Sequence, residues 1–247
     1  MIKPDIKIEN GVYIASAVNN DFSDAYIKIR EKEQRVYSEE VVKNLPITTK
    51  EHPQYEEWKL RQKSTNRFTN YLEDNLFNSL LEIGCGNGWF THQCSKKVEN
   101  AIGVDINLQE LEQAAKVFTN TQYLYWDIFE ADPFNQQFDI IVLNAVVQYF
   151  PDFDKLINRL SSLLNPKGEI HIIDSPFYQA DKIEAAKQRT EAYYRSMNVP
   201  EMSINYFHHS VDFIKNFEAL YTPQTSKIKQ LIKGKDIPFG WYKKITN

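Results

Sequence analysis

Between Ser79 and Ile173 short apolar runs alternate with amphipathic stretches, and this rhythm constrains the fold more than any other feature of the chain. The runs are Leu80-Leu-Glu-Ile83, Ala101-Ile-Gly-Val104, Tyr123-Leu-Tyr-Trp126, Phe138-Asp-Ile-Ile-Val-Leu143 and Glu169-Ile-His-Ile-Ile173. Each is short enough for a strand. Helices are predicted between them, over about Trp89 to Ser95, then through Leu108, Leu111, Ala115 and Phe118, then through Leu156, Ile157, Leu160, Leu163 and Leu164. The last ends at Asn165-Pro-Lys-Gly168, a stop and turn signal. Strands that alternate with helices predict an α/β fold, a parallel sheet with helices on both faces. Such sheets take ligands beyond the carboxyl ends of their strands. Asp105, Asp127 and Asn144 each follow such an end.

The flanks differ in pattern. Ile6-Lys-Ile8-Glu and Val12-Tyr-Ile14 flank Asn10-Gly11, a dipeptide suited to the positive φ angles of a tight hairpin turn. A helix is predicted from about Ser23 to Lys43 and another from about Pro53 to Glu73. Residues 1–50 therefore form an accessory hairpin and helix, and 51–247 the main domain with a core over 79–176. A cap insertion covers about 177–217: a helix over Gln179 to Met197, a loop to His209 and a short helix to Phe217. Two final strands are expected at Glu218 to Tyr221 and Phe239 to Ile245, with a short helix near Lys227 to Ile232 between them.

The turn Glu82-Ile-Gly84-Cys-Gly86-Asn-Gly88 carries the chemistry. Alternating glycines after a strand let backbone approach a ligand without Cβ clashes. A dinucleotide-binding turn needs glycine where Trp89 stands, so that fingerprint fails. No lysine follows to meet phosphates, and an acid precedes the turn. A ligand with a positive centre and no pyrophosphate fits better.

This pattern resembles the first motif of class I S-adenosylmethionine-dependent methyltransferases, Asp/Glu-x-Gly-x-Gly-x-Gly, in particular the small-molecule, type 11/12-like group. The resemblance covers about Ser79 to Pro176. It implies a Rossmann-like seven-stranded sheet, mostly parallel with an antiparallel last strand. It implies S-adenosylmethionine as cofactor, cradled by Glu82, Gly84, Cys85, Gly86 and Gly88, with Asn144 at the end of the fourth core strand. Asp105 would accept both ribose hydroxyls, Asp127 would face the adenine amino group, and Ile106 and Ile128 would flank the ring. Each acid also has a plainer reading, Asp105 as a helix N-cap and Asp127 as a turn residue. Cys85 reads as a small packing residue rather than a nucleophile.

At 100° per residue, Trp58, Thr65, Phe68 and Leu72 share one stripe of the 53–73 helix, and Arg61 falls in its middle. A buried guanidinium needs a partner. The cofactor's methionyl carboxylate is one; a structural acid or solvent is the other. On the acceptor side, Gln148 and Tyr149 follow the fourth core strand, and Tyr149, His208 and His209 are the candidate catalytic groups. The aromatic residues of the insertion either wall a pocket or pack the cap.

The formal net charge is −4, with no basic block, which disfavours nucleic acid as a partner. No apolar run approaches the roughly 20 residues that span a bilayer, and the N-terminus lacks a signal core. Two cysteines without a metal-ligand set predict no metal and a cytoplasmic setting. No pattern specifies an oligomeric state. The reading is a methyltransferase acting on a small-molecule acceptor. Leu143-Asn-Ala-Val lacks the Asp/Asn-Pro-Pro-Phe/Tyr motif of many amino-methylating enzymes. Aminopropyl transfer on the same fold and non-catalytic cofactor binding are the alternatives.

Overall fold

A computed structural model describes residues 1–19, 21–223 and 236–246. Its strands are β1 (Lys7–Glu9), β2 (Val12–Ile14), β3 (Ser79–Ile83), β4 (Asn100–Asp105), β5 (Gln122–Tyr125), β6 (Phe138–Asn144), β7 (Leu164–Ile173), β8 (Glu218–Tyr221) and β9 (Trp241–Ile245). The helices are α1 (Asp21–Lys32), α2 (Glu39–Asn44), α3 (Tyr55–Asn75), α4 (Trp89–Cys94), α5 (Leu108–Val117), α6 (Phe153–Ser162) and α7 (Ile183–Ser196). One sheet runs in the order β1-β2-β5-β4-β3-β6-β7-β9-β8. Strands β3 to β7 are mutually parallel, and β9 is antiparallel to β7. Chain order reverses between β3 and β6, so the crevice at their carboxyl ends is where this topology takes a ligand.

Side-chain alternation explains why the sheet is covered on both sides. In β6, Ile140 and Val142 join one apolar cluster, with Trp58, Phe68 and Leu72 of α3. Ile141 and Leu143 join the opposite cluster, with Leu156, Ile157 and Leu160 of α6. The period of two along the strand thus feeds both faces. Burial of the α3 stripe at Trp58, Thr65, Phe68 and Leu72 follows the helical spacing read from the sequence. A third cluster joins Ile29 of α1 to Tyr194, Val199 and Met202 of the insertion after β7. The N-terminal helix and the insertion therefore make one cap, not two separate additions.

Several expectations need correction. The sheet has nine strands rather than seven, because the hairpin is not a free appendage. Asn10 and Gly11 take φ 46° and 82°, as the turn requires, and β2 then pairs in parallel with β5. The single helix expected over Ser23 to Lys43 is two. It breaks where Gln34 enters φ 55°, Tyr37 buries beside Trp58, and Ser38 caps α2 by accepting from the Val41 N–H at 3.4 Å. Packing of Tyr37 outweighs helix propensity there. The stretch Asn165-Pro-Lys-Gly168 lies inside β7 as an irregularity, with Lys167 rather than glycine at positive φ. The helix expected near Lys227 to Ile232 falls outside the described residues. Among the described residues no helix is long and apolar enough to cross a membrane, and no group of three or more His, Cys, Asp or Glu side chains is placed to hold a metal ion.

Candidate active site

The turn after β3 begins with Gly84 and Cys85 both donating to the Val104 carbonyl, at 2.8 and 3.0 Å. Gly84, Gly86 and Gly88 all have positive φ, 72°, 51° and 74°. The three serve different ends. A Cβ on Gly84 would lie 2.2 Å from Val146 Cγ2, so this glycine permits β3 and the β6 exit to touch. A Cβ on Gly86 would meet only the Glu110 carboxyl, at 3.2 Å. A Cβ on Gly88 would lie 2.4 Å from the Tyr123 ring. Gly88 lines none of the cavities below; it is a packing glycine at the start of α4.

Two cavities border this turn, and a third adjoins them. The first, about 280 Å³, is lined by Gly84, Gly86, Asp105, Ile106, Asp127 and Ile128, among others. The second, about 260 Å³, takes in Arg61, Glu82, Cys85 and Asn144 and shares Gly84 and Gly86. The third, about 380 Å³, lies between α1 and α7. Tyr26 and Tyr149 line all three. Every residue expected to bind the cofactor except Gly88 thus borders the first or second cavity.

Asp105 is more committed than its position suggests. Its Oδ2 accepts from Gly86 N–H at 2.7 Å, and its Oδ1 from Ile106 and Asn107 N–H at 2.7 and 2.9 Å. A carboxylate offers about four acceptor sites, which leaves room for one ribose hydroxyl rather than two. The helix N-cap role belongs to Asn107, whose side chain accepts from Glu110 N–H. Glu110 borders both the first and second cavities. Burial, with the Asp105 charge beside it, pushes its carboxyl up to about 7. Asp127 Oδ1 accepts from Phe129 N–H at 3.0 Å, so it is a turn residue and a wall residue at once.

In the second cavity Glu82 is 2% exposed and accepts a short hydrogen bond from the Thr91 hydroxyl. Burial raises its pKa to about 8 against that hydrogen bond. Burial likewise pushes the Cys85 thiol well up, which suits a packing residue. Asn144 Oδ1 and Gln148 Oε1 are buried acceptors with no hydrogen-bond partner among the described residues, both on residues that border this cavity. Ala145 between them holds φ 55°, a rare angle for a residue with a Cβ. Arg61 donates from Nε to Glu57 Oε1 at 2.9 Å and borders the second and third cavities. The guanidinium expected on an apolar stripe thus has a structural acid and a place at the cavity.

The histidines lie elsewhere. His209 is 5% exposed, its Nε2 3.1 Å from the Val147 carbonyl, and packs against Phe153 and Phe213. His208 contacts Thr190 Oγ1 at 2.8 Å. Neither borders the three cavities, and burial lowers the pKa of both. Of the three candidate catalytic groups only Tyr149 reaches the site. Burial raises its phenol pKa, so it keeps its proton at neutral pH. Tyr26, Arg30, Glu110 and Asp174 were not singled out from sequence. Tyr26, Ile29, Arg30 and Glu33 have i, i+3, i+4, i+7 spacing, the signal of one helix face.

The site thus combines a glycine-rich turn, an acid at the end of β4 and, among the described residues, two buried acceptors without a hydrogen-bond partner. Comparison with known proteins agrees. The family model described as a methyltransferase domain matches residues 78–235. A malonyl-(acyl-carrier protein) O-methyltransferase of Halalkalibacterium halodurans is 36% identical over 98 residues, 36% of each chain. One from Calditerrivibrio nitroreducens is 35% identical over 120 residues, 47% of each. The chain spans about half or less of the length of these curated relatives. Among solved structures, magnesium protoporphyrin IX methyltransferase from Synechocystis with bound SAH matches with TM-score 0.56 at 12% identity, over 91% of this chain and 100% of that one. The plantazolicin methyltransferase in complex with SAH and a triazolic analog matches at TM-score 0.50 and 17% identity, over 88% and 99%. The turn, the sheet order and the family match together place the chain in the methyltransferase domain family, among the class I S-adenosylmethionine-dependent methyltransferases.

Proposed function

We propose that the chain methylates a small-molecule acceptor, with Tyr149 at the boundary between donor and acceptor. The carrying observation is that the two cavities at the glycine turn share Tyr26 and Tyr149 as walls with a third cavity. When bound, S-adenosylmethionine would supply an electrophilic methyl group carried on a sulfonium, with the thioether as leaving group.

The chain's part is to bind, orient and exclude water. Ile106 and Ile128 would flank the adenine and Asp127 accept from its amino group. Asp105 would hold one ribose hydroxyl and Glu110 the other. Asn144 Oδ1 and Gln148 Oε1 would take the α-ammonium, and Arg61 the α-carboxylate in bidentate geometry. Tyr149, protonated, would donate to the acceptor and position it rather than remove a proton. The relatives' names, malonyl-(acyl-carrier protein) and ubiquinone biosynthesis O-methyltransferases, favour an oxygen nucleophile.

Calorimetric titration with S-adenosylmethionine, its decarboxylated form and S-adenosylhomocysteine tests the cofactor half. Tight binding of the first and third with weak binding of the second is expected, and equal binding of the decarboxylated form would support aminopropyl transfer instead. Label transferred from methyl-labelled cofactor into small molecules of a metabolite extract tests the acceptor half. Label found only in protein or nucleic acid would overturn it.

A further inference from the structure

The cavity between α1 and α7 is built from one face of each helix. Tyr26, Ile29, Arg30 and Glu33 line it from the α1 side, and Ala186, Arg189, Thr190, Tyr193 and Tyr194 from α7. Both sets follow the i, i+3, i+4, i+7 spacing of a single helix face. The two sides are tied together, since the Tyr193 hydroxyl donates to Glu33 Oε1 and Lys32 Nζ donates to the Met197 carbonyl.

Arginines outnumber carboxylates in the lining of this cavity. Arg30, Arg35, Arg61 and Arg189 face Glu33 and Glu57, four cations against two anions. Glu57 is shared by Arg35, through two hydrogen bonds, and Arg61 at 2.9 Å. Glu33 lies 3.3 Å from Arg35 Nε and 3.6 Å from Arg30 Nη1. Arg30 Nε is buried without a hydrogen-bond acceptor among the described residues, and the guanidinium sits 5.5 Å from the centre of the Tyr26 ring. Arg189, across the cavity, has no ion pair among the described residues. Arg189 is exposed at the cavity, so an anion that enters can meet its guanidinium without breaking an existing ion pair, with Arg30 on the opposite wall.

We infer that the acceptor is an acid, whose carboxylate or phosphate is gripped between Arg30 and Arg189 while its reacting atom faces Tyr149. This rests on the methyltransferase reading above and names its substrate class. The oxyanion held by the arginines is the handle, because a guanidinium grip on the attacking oxygen would withdraw its electrons. The tyrosine walls from Tyr26, Tyr149, Tyr178 and Tyr206 suit a flat or aromatic body behind the charge.

The test titrates the full chain, saturated with S-adenosylhomocysteine, with benzoate, phenyl phosphate and the neutral benzamide. At least one of the two anions should bind about tenfold or more tightly than the amide; which one does so distinguishes a carboxylic from a phosphoryl handle. Arg189→Met should abolish that preference while S-adenosylhomocysteine affinity stays within about twofold. Arg30→Lys should keep part of the preference and Arg30→Met none, and circular dichroism checks that each variant folds. Equal binding of amide and anions, no anion binding up to about 10 mM, or an undiminished preference in Arg189→Met would overturn the proposal. Failure of S-adenosylhomocysteine itself to bind would instead remove the cofactor reading, so the two failures are separable.

Discussion

Gly84→Ala should destabilise the fold through one identifiable contact. The added Cβ lies 2.2 Å from Val146 Cγ2 and 2.9 Å from Val146 Cβ, at φ 72°. Left-handed backbone with a Cβ costs about 1–2 kcal/mol. Overpacking of a tight site adds about 1–3 kcal/mol. The expected loss is therefore about 2–5 kcal/mol, a large share of the ~5–15 kcal/mol that holds a domain together. Val146→Ala alone removes two methyl groups from a side chain 9% exposed and should cost about 1–2 kcal/mol. Combined, the two changes should cost less than their sum by about 1–2 kcal/mol, since the 2.2 Å clash disappears and only the Cβ contact remains. Urea unfolding of the four proteins, followed by circular dichroism, gives the cycle. Additivity within about 0.5 kcal/mol would show that Gly84 is not there to let these two segments touch.

A Cβ on Gly86 meets only the Glu110 carboxyl, so Gly86→Ala should cost little beyond the backbone term of about 1–2 kcal/mol while weakening S-adenosylhomocysteine about tenfold or more by calorimetry; unchanged affinity would remove the turn from the site. Glu82, raised by burial from an ordinary value near 4.5 to about 8, binds its proton more tightly folded than unfolded. Its contribution to stability is full below pH 4.5 and is lost as pH rises through 8, up to about 5 kcal/mol at 1.36 kcal/mol per pH unit. Glu82→Gln should flatten that part of the ligand-free stability–pH curve, and an unaltered slope would show that Glu82 is ionised in the fold. Leu76 ends α3 at φ 54° and is 83% exposed, so Leu76→Gly should raise stability by about 0.5–1 kcal/mol in thermal unfolding. A lower melting temperature would contradict the strain argument.

The core was legible because it is encoded locally. Runs such as Phe138 to Leu143 carry their own period, and the stripe at Trp58, Thr65, Phe68 and Leu72 follows from helix geometry alone. The lining of the first cavity was legible for the same reason, since Asp105 and Asp127 follow strand ends. What escaped depends on distant partners. Gly88 looks like a ligand glycine until Tyr123 lies against it. Gln34 gives no warning of a helix break that Tyr37 causes by packing on Trp58. Glu110 reads as an ordinary acid in a first helical turn, and only the fold sets it beside Asp105 in the cavity. The two histidines were attractive as residue types, but His209 packs among phenylalanines.

The hairpin's place on the sheet edge bears on how the site matures. Ser16 Oγ, just beyond β2, accepts from the Asp127 N–H, a bond that links residues 111 positions apart. The ribosome releases residues 7–14 long before β5 exists, and a lone two-stranded ribbon is barely stable in water. Residues 7–14 therefore cannot dock until Gln122–Tyr125 of β5 has been made. The wall around Asp127 is then finished by a long-range closure, and a change that loosens the hairpin should be felt first as slow ordering of that segment.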